Sequence, residues 1–409
     1  MKKLIKLGGL LITLLLVMPG MSISPDKAFA SSEKPKIIRL ALLGDISGPY
    51  APQTAAAYAA FLDAVEYINV EKGGIKGVKL ESVVRDSGGK LDVAISHYME
   101  IREMRPKPLF LFGCVSGEGE ALRERLAEDE IPAMWVAGTP AVYPVAYTFG
   151  LYPLYQDMFG LFIDWFVDTW KGPGHPKMAF LTWDSTFGRA PLTDEAYAYA
   201  KEKGVEIVST ELFGLRDMDV TTQLVRIRSK GANWIYTNSA GNGPPSIMKC
   251  ARDMGYKIKL AAPGPAMEWG AIRIGGKAME GAYNVMPFAS WDDEEHSGIK
   301  LMNKYIKKNK RPSKFKTVMY FLSFQFMLTF EEAASKIIEE AGWEGLNGKA
   351  VKAQIDKLSD FSPLGLTYYT FTPKKHTPGK AYIGRVQDGK IIPITGWKEC
   401  PDLRPAKFK

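Results

Sequence analysis

The fold turns on residues 37–50, Ile-Ile-Arg-Leu-Ala-Leu-Leu-Gly-Asp-Ile-Ser-Gly-Pro-Tyr. Ile37 to Leu43 is a short, nearly unbroken apolar run. That pattern suits a strand buried on both faces, as in a parallel sheet. The run stops at Gly44-Asp45-Ile46-Ser47-Gly48-Pro49, a turn that opens into a helix. In that helix Tyr58, Phe61, Leu62, Val65 and Ile68 recur at helical spacing, and Gly73-Gly74 closes it.

The same alternation continues outward. Strands are predicted at Val78–Val84, Leu109–Phe112 and Pro132–Val136, with helices marked by Val93, Tyr98, Ile101 and Met104 and over 117–129. A second series begins after residue 176. Its strands are Met178–Thr182, Val205–Ser209, Trp234–Thr237 and Ile258–Ala262, with helices near 189–203, 219–230 and 244–255. The turn Asp184-Ser185-Thr186-Phe187-Gly188 holds the place in this series that Asp45-Ile46-Ser47-Gly48 holds in the first. Two such series predict an α/β protein of two doubly wound, mostly parallel-sheet lobes. Phe159, Phe162, Trp165, Phe166 and Trp170 recur at helical spacing and read as core.

The rest of the chain reads as returns to these lobes. Helices at Met302–Ile306, Val318–Ile338 and Ala350–Leu358 go back to lobe I. Short strands around Leu366–Phe371, Ala381–Val386 and Ile391–Ile394 go back to lobe II. Lobe I is then 31–152 with 287–364, and lobe II is 153–286 with 365–409. Three hinge crossovers follow, near 150–153, 285–290 and 361–366, where Gly150, Pro153, Pro287 and Pro363-Leu364-Gly365 fall.

The first thirty residues read as a removable leader. Lys2, Lys3 and Lys6 precede an apolar run from Leu7 to Met18, and Ala28-Phe29-Ala30 offers a cleavage site. No cysteine precedes Cys114, so no lipid-anchor cysteine follows the expected cut. This predicts a periplasmic protein without a tether. The formal net charge of +8 is mild for 409 residues and is spread among both signs, which argues against nucleic acid as partner. The basic run from Lys300 to Lys316 reads as a solvated helix face. Export permits disulfides, but three cysteines leave one unpaired, and Cys250 with Cys400 is the expected pair. The four histidines are scattered and no metal spacing occurs, so neither metal nor cofactor is expected.

No Walker A loop, dinucleotide fingerprint, nucleophile elbow or His-Glu-x-x-His motif is present. A binder is therefore expected rather than an enzyme. Ligands of open α/β sheets bind beyond the carboxyl ends of the strands. The loops there supply Tyr50, Ser116, Gly117, Ala137 and Thr139 from lobe I, and Phe187, Asn238 and Glu268 from lobe II. Small residues let backbone amides approach a ligand. Ser116 and Thr139 fit two roles equally: donating to a carboxylate, or capping a helix. Tyr50 and Phe187 fit apolar walls, as does Trp269.

These loops resemble those of the type I periplasmic binding proteins for branched-chain amino acids. Gly44 to Tyr50, Gly73-Gly74-Ile75-Lys76-Gly77, Gly113-Cys114-Val115-Ser116, Ala137-Gly138-Thr139, Phe187-Gly188 and the stretch from Gly275-Gly276 to Glu280-Gly281 carry the likeness, which spans about residues 36–400. The resemblance implies a Venus-flytrap protein that delivers a small polar solute to inner-membrane ABC permease subunits, acting as a monomer. A ligand-binding sensory module for a membrane receptor or kinase is the other reading. The resemblance also implies that Ser116, Gly117, Ala137 and Thr139 hold a ligand carboxylate and that Phe187 closes over it. Two departures stand out. Phe187 replaces the usual Tyr. Gly264 follows Pro263 where amino-acid binders of the family place an acid, leaving Glu268 as the available counter-charge and opening the site to carboxylates, amides and urea-like solutes.

Overall fold

The computed structural model describes residues 33–136, 139, 142, 143 and 145–409. The expected leader and Ala137 lie outside the described residues. The first series gives β1 (Ile37–Gly44), α1 (Ala51–Val70), β2 (Lys79–Asp86), α2 (Leu91–Arg102), β3 (Leu111–Gly113), α3 (Ser116–Glu128), β4 (Ala133–Trp135) and β5 (Thr148–Gly150). Their order in the sheet is β2-β1-β3-β4-β5, and every pairing is parallel. β1 lies inside the sheet because Leu40, Ala41, Leu42 and Leu43 are all buried, so both of its faces need cover.

The second series starts with α4 (Tyr155–Thr169) and β6 (Lys177–Trp183). Then come α5 (Thr186–Arg189), α6 (Asp194–Glu202), β7 (Glu206–Phe213), α7 (Thr221–Ser229) and β8 (Trp234–Tyr236). It ends with α8 (Gly243–Asp253), β9 (Lys259–Pro263), α9 (Trp269–Gly275) and β10 (Tyr283–Met286). The parallel order is β7-β6-β8-β9-β10. The helix expected over 189–203 is split. Pro191 removes a helical donor, and Thr193 caps the restart by accepting from the Ala196 amide at 3.2 Å. Phe159, Phe162 and Phe166 of α4 are buried against this sheet, with Phe159 4.9 Å from Phe180 and Phe166 4.6 Å from Trp234, ring centre to ring centre.

α10 (Ser297–Lys308), α11 (Val318–Ala341) and α12 (Gly348–Ile355) follow. α11 packs along α1, and its Phe326 ring lies tilted against Phe110 and Phe112 at the first sheet, with centres 4.7 and 5.0 Å apart. β11 (Lys380–Gln387) then pairs antiparallel with β10, β12 (Lys390–Pro393) pairs with β11, and β13 (Lys398–Glu399) also pairs with β11.

Two expectations fail. Leu366–Phe371 is not a strand. Its backbone serves other partners: Leu366 O accepts from Ala289 N at 2.7 Å, and Tyr369 makes only a bridge to Phe361. Residues 287–289 thus run beside 366–367, where Thr367 Oγ1 also donates to Pro287 O at 2.6 Å. The Cys250–Cys400 disulfide is also absent, and all three cysteines are free. Cys250 faces the Met218–Asp219 turn, while Cys400 is buried with its amide bonded to Gly379 O.

Candidate functional site

In each sheet the first strand of the series has its successors on both sides. β1 lies between β2 and β3, and β6 between β7 and β8. The loops after these strands diverge in opposite directions and leave a crevice at the strand ends. A cavity of about 640 Å³ opens there, with walls from both sheets. Tyr50, Ser116 and Gly117 come from the first, Ser185, Phe187 and Gly241 from the second, and Glu268 from the loop after β9.

Local chemistry fixes each loop. Asp45, just after β1, is fully buried, and its carboxylate accepts from Gly48 N at 2.5 Å and Tyr50 N at 2.8 Å. Asp86, at the end of β2, accepts from Ile46 N at 2.8 Å and Gly88 N at 2.9 Å. The two acids thereby organise the loop that aims Tyr50 at the cavity. Gly48 is required there, because a Cβ would lie 2.2 Å from Gly88 O. After β6, Ser185 Oγ accepts from Gly188 N at 3.1 Å and caps α5. A Cβ on Gly188 would lie 2.0 Å from Trp183 O. This turn holds Phe187 over the cavity.

The two sides meet across the crevice. Tyr50 hydrogen-bonds the Ser185 side chain, and burial, against that bond, raises the phenol above its ordinary range. On the second side alone, Tyr155 of α4 and Phe187 stack edge to face with ring centres 5.2 Å apart. Trp183 adds a further ring, 6.1 Å from Phe187. Tyr152 and Tyr155 share a hydroxyl–hydroxyl bond of 2.5 Å in the same wall.

The residues singled out from sequence divide into two groups. Tyr50, Ser116, Gly117, Phe187 and Glu268 line the cavity. Ser116 opens α3, where the cap position is Val115 and carries no side-chain bond, so the Ser116 hydroxyl is not used as a cap. It has no protein partner among the described residues. Thr139 is fully buried and its side chain bonds Glu120, which lowers an acid that burial otherwise raises. Asn238 is also fully buried. Its amide nitrogen donates to Phe187 O at 2.5 Å and its backbone amide to Thr182 Oγ1 at 3.0 Å. Both stand behind the wall as supports. Trp269, read as a wall, turns its indole to Ser290 Oγ at 3.2 Å instead.

Glu268 faces this cavity in an apolar setting. Burial pushes its carboxyl up to about 7, against the pull of the Gly270 amide, the Arg273 guanidinium and the Val318 amide. Among the described residues its Oε2 has no hydrogen-bond partner. Because the folded state holds this proton up to about pH 7 and the unfolded chain releases it near 4.5, folding loses stability as pH rises through that window. Glu268→Gln should therefore gain melting temperature relative to the native chain between about pH 5 and about pH 8. Parallel thermal melts check this, and a pH-independent difference would contradict it.

Sequence reasoning missed part of the wall. Trp183, Arg273, Lys314 and the start of α11 at Thr317 to Met319 line it too. Lys314 and α11 reach the site only through tertiary folding, so no local pattern marks them. Among the described residues no group of three or more His, Cys, Asp or Glu could hold a metal, and no helix is long and apolar enough to cross a membrane.

The family described as periplasmic binding protein matches residues 37–390. A Pseudomonas aeruginosa protein named for binding leucine, isoleucine, valine, threonine and alanine is 24% identical over 288 residues, covering 68% of this chain and 73% of that protein. Among solved structures, a branched-chain amino acid ABC transporter protein from Thermus thermophilus with bound valine superposes with a TM-score of 0.82 at 22% identity, over 90% of this chain and 97% of that one. A fatty acid ABC transporter substrate-binding protein from Thermomonospora curvata gives 0.75 at 19% identity, over 91% and 95%. With the family match spanning both sheets and the cavity between them, the chain belongs to the periplasmic binding protein family and has the fold of its type I members.

Proposed function

We propose that the protein is the periplasmic solute-binding component of an ABC importer, capturing an organic carboxylate with an apolar body. One observation supports this above the others. The cavity is built from the strand-end loops of two separate sheets, which already touch through Tyr50–Ser185. A solute held there is enclosed by the approach of two lobes, residues 31–152 with 287–364 and residues 153–286 with 365–409. The paired crossovers at 287–289 and 366–367 serve as hinge segments.

In this reading the carboxylate bonds the free Ser116 hydroxyl and the amides opening α3, where the helix terminus adds partial positive charge. Gly117 lets the ligand come close. Thr139, bonded to Glu120, supports this wall from behind. Tyr50, Trp183 and Phe187 cover the apolar body. Glu268 gives an ammonium a counter-charge, so amino acids fit. A volume of about 640 Å³ also suits solutes larger than valine. The protein acts as a monomer, turns over nothing and passes its cargo to membrane permease subunits.

Native mass spectrometry of the protein from its own host identifies the cargo, and calorimetry then measures it. Ser116→Ala should weaken binding about tenfold or more, the scale of one hydrogen bond to a charged group. Unchanged affinity would remove the carboxylate from this loop, and consumption of the bound compound would replace the transport reading with an enzymatic one.

A further inference from the structure

Two cations in the cavity wall have no task in the binding mode above. Arg273 belongs to α9, beside the second sheet. Lys314 precedes α11, the helix packed on α1 of the first lobe. Both side chains are exposed, and among the described residues neither makes an ion pair or a hydrogen bond. The wall's one carboxyl, Glu268, feels Arg273 but is held close to half-neutral at pH 7 by its burial. The wall therefore carries an excess of positive charge. That excess is divided between elements on the two sides of the crevice.

Like charges brought together by a closing cleft oppose closure, and an anion between them reverses the sign. Such a ligand binds the closed state better than the open one, which is what lobe closure requires. Ser116 lies in a different stretch of the wall, after β3, and is already assigned to one carboxylate. The same cavity wall also carries the rings of Tyr50, Trp183 and Phe187.

We infer that the cargo is a two-ended organic anion, with an apolar middle and a second carboxylate seated between Arg273 and Lys314. This rests on the carboxylate reading of the Ser116 loop. It excludes ligands whose far end is a methyl group or a cation.

The test uses three chains of equal length: octanedioate, octanoate and ω-aminooctanoate, each titrated into the mature protein by calorimetry. Octanedioate should bind about tenfold or more tighter than octanoate, as expected for one charge-assisted contact, and ω-aminooctanoate should bind weakest. Arg273→Gln and Lys314→Gln should each erase most of octanedioate's advantage while leaving octanoate within about twofold. Raised salt should narrow the same gap. Equal affinities, tightest binding by ω-aminooctanoate, no binding by any of the three, or an advantage that survives both substitutions would each overturn the inference. Ser116→Ala separates the two readings. If it weakens all three ligands while Arg273→Gln changes nothing, the binding mode stands and the second anion falls. If Ser116→Ala is silent and Arg273→Gln still erases the advantage, the cation pair stands without the carboxylate loop.

Discussion

Replacing Asp63 by alanine is expected to destabilise the protein by about 3–5 kcal/mol. Asp63 is fully buried in α1, and three side chains from the far end of the sequence converge on it. Arg311 Nη2 donates to Oδ1 at 2.6 Å, Asn309 Nδ2 to Oδ1 at 2.7 Å and Tyr320 Oη to Oδ2 at 2.7 Å. The bond to Asp63 holds the Arg311 guanidinium above its ordinary range, and burial with the Asp63 charge raises the Tyr320 phenol. This cluster joins α1 to the chain that returns through α10 and α11. Removing Asp63 leaves the buried Tyr320 phenol without its acceptor, Asn309 with Glu66 alone, and a guanidinium only partly able to reach water. Asp63→Asn keeps one acceptor and loses the charge, so it should fall between. Urea unfolding of the native chain and both variants ranks them. A midpoint for Asp63→Ala equal to the native one would show that the cluster contributes nothing net.

That cluster marks where the sequence stopped being informative. Strands β1, β6, β8 and β9 were legible because each is a short apolar run closed by turn residues, and strand burial on both faces forces that pattern. The returning helix α11 was legible from its length and its Phe, Met and Leu content. Its attachment through Asp63 was not, since Asp63 and Arg311 share no local pattern. The same division runs through the site. Tyr50, Ser116 and Phe187 follow strand ends, so topology alone brought them to the crevice. Asn238 follows a strand end too, yet its side chain turns inward to the Phe187 carbonyl. Position on a loop selects the neighbourhood, whereas the direction of a side chain depends on which backbone groups need a partner. Glu268 shows the reverse. It lies well past the end of β9, but the turn before α9 brings it to the cavity wall. Leu366–Phe371 looked like a strand because its aromatic and β-branched residues favour extended chain, yet its carbonyls were taken by the neighbouring crossover.

Filling the gap at Gly117 should abolish most binding without unfolding anything. Gly117 lies in the first turn of α3 with no left-handed backbone demand, so a side chain is tolerated by its own lobe. What a Cβ there would meet is Thr186 Oγ1, at 3.7 Å, across the crevice on α5. Alanine makes an ordinary contact at that distance, and Gly117→Ala should bind almost as the native chain does. Leucine extends beyond it and collides with Thr186 only when the lobes are together. In Gly117→Leu the closed form is therefore selectively destabilised, while the open form keeps its stability. Apparent affinity falls by the factor through which the closed population drops. A penalty of about 2.7 kcal/mol, within the range of an overpacked contact, gives roughly a hundredfold loss. The Asp63 substitution acts on folding, and this one acts on the equilibrium between two folded forms, so the two variants should separate cleanly. Gly117→Leu should melt within about 2 °C of the native protein, as a surface change does in the open form. Its radius of gyration by X-ray scattering should not shrink when ligand is added, whereas that of the native protein should. Native affinity in Gly117→Leu, or compaction on ligand addition equal to the native chain's, would show that the cavity binds without the lobes closing.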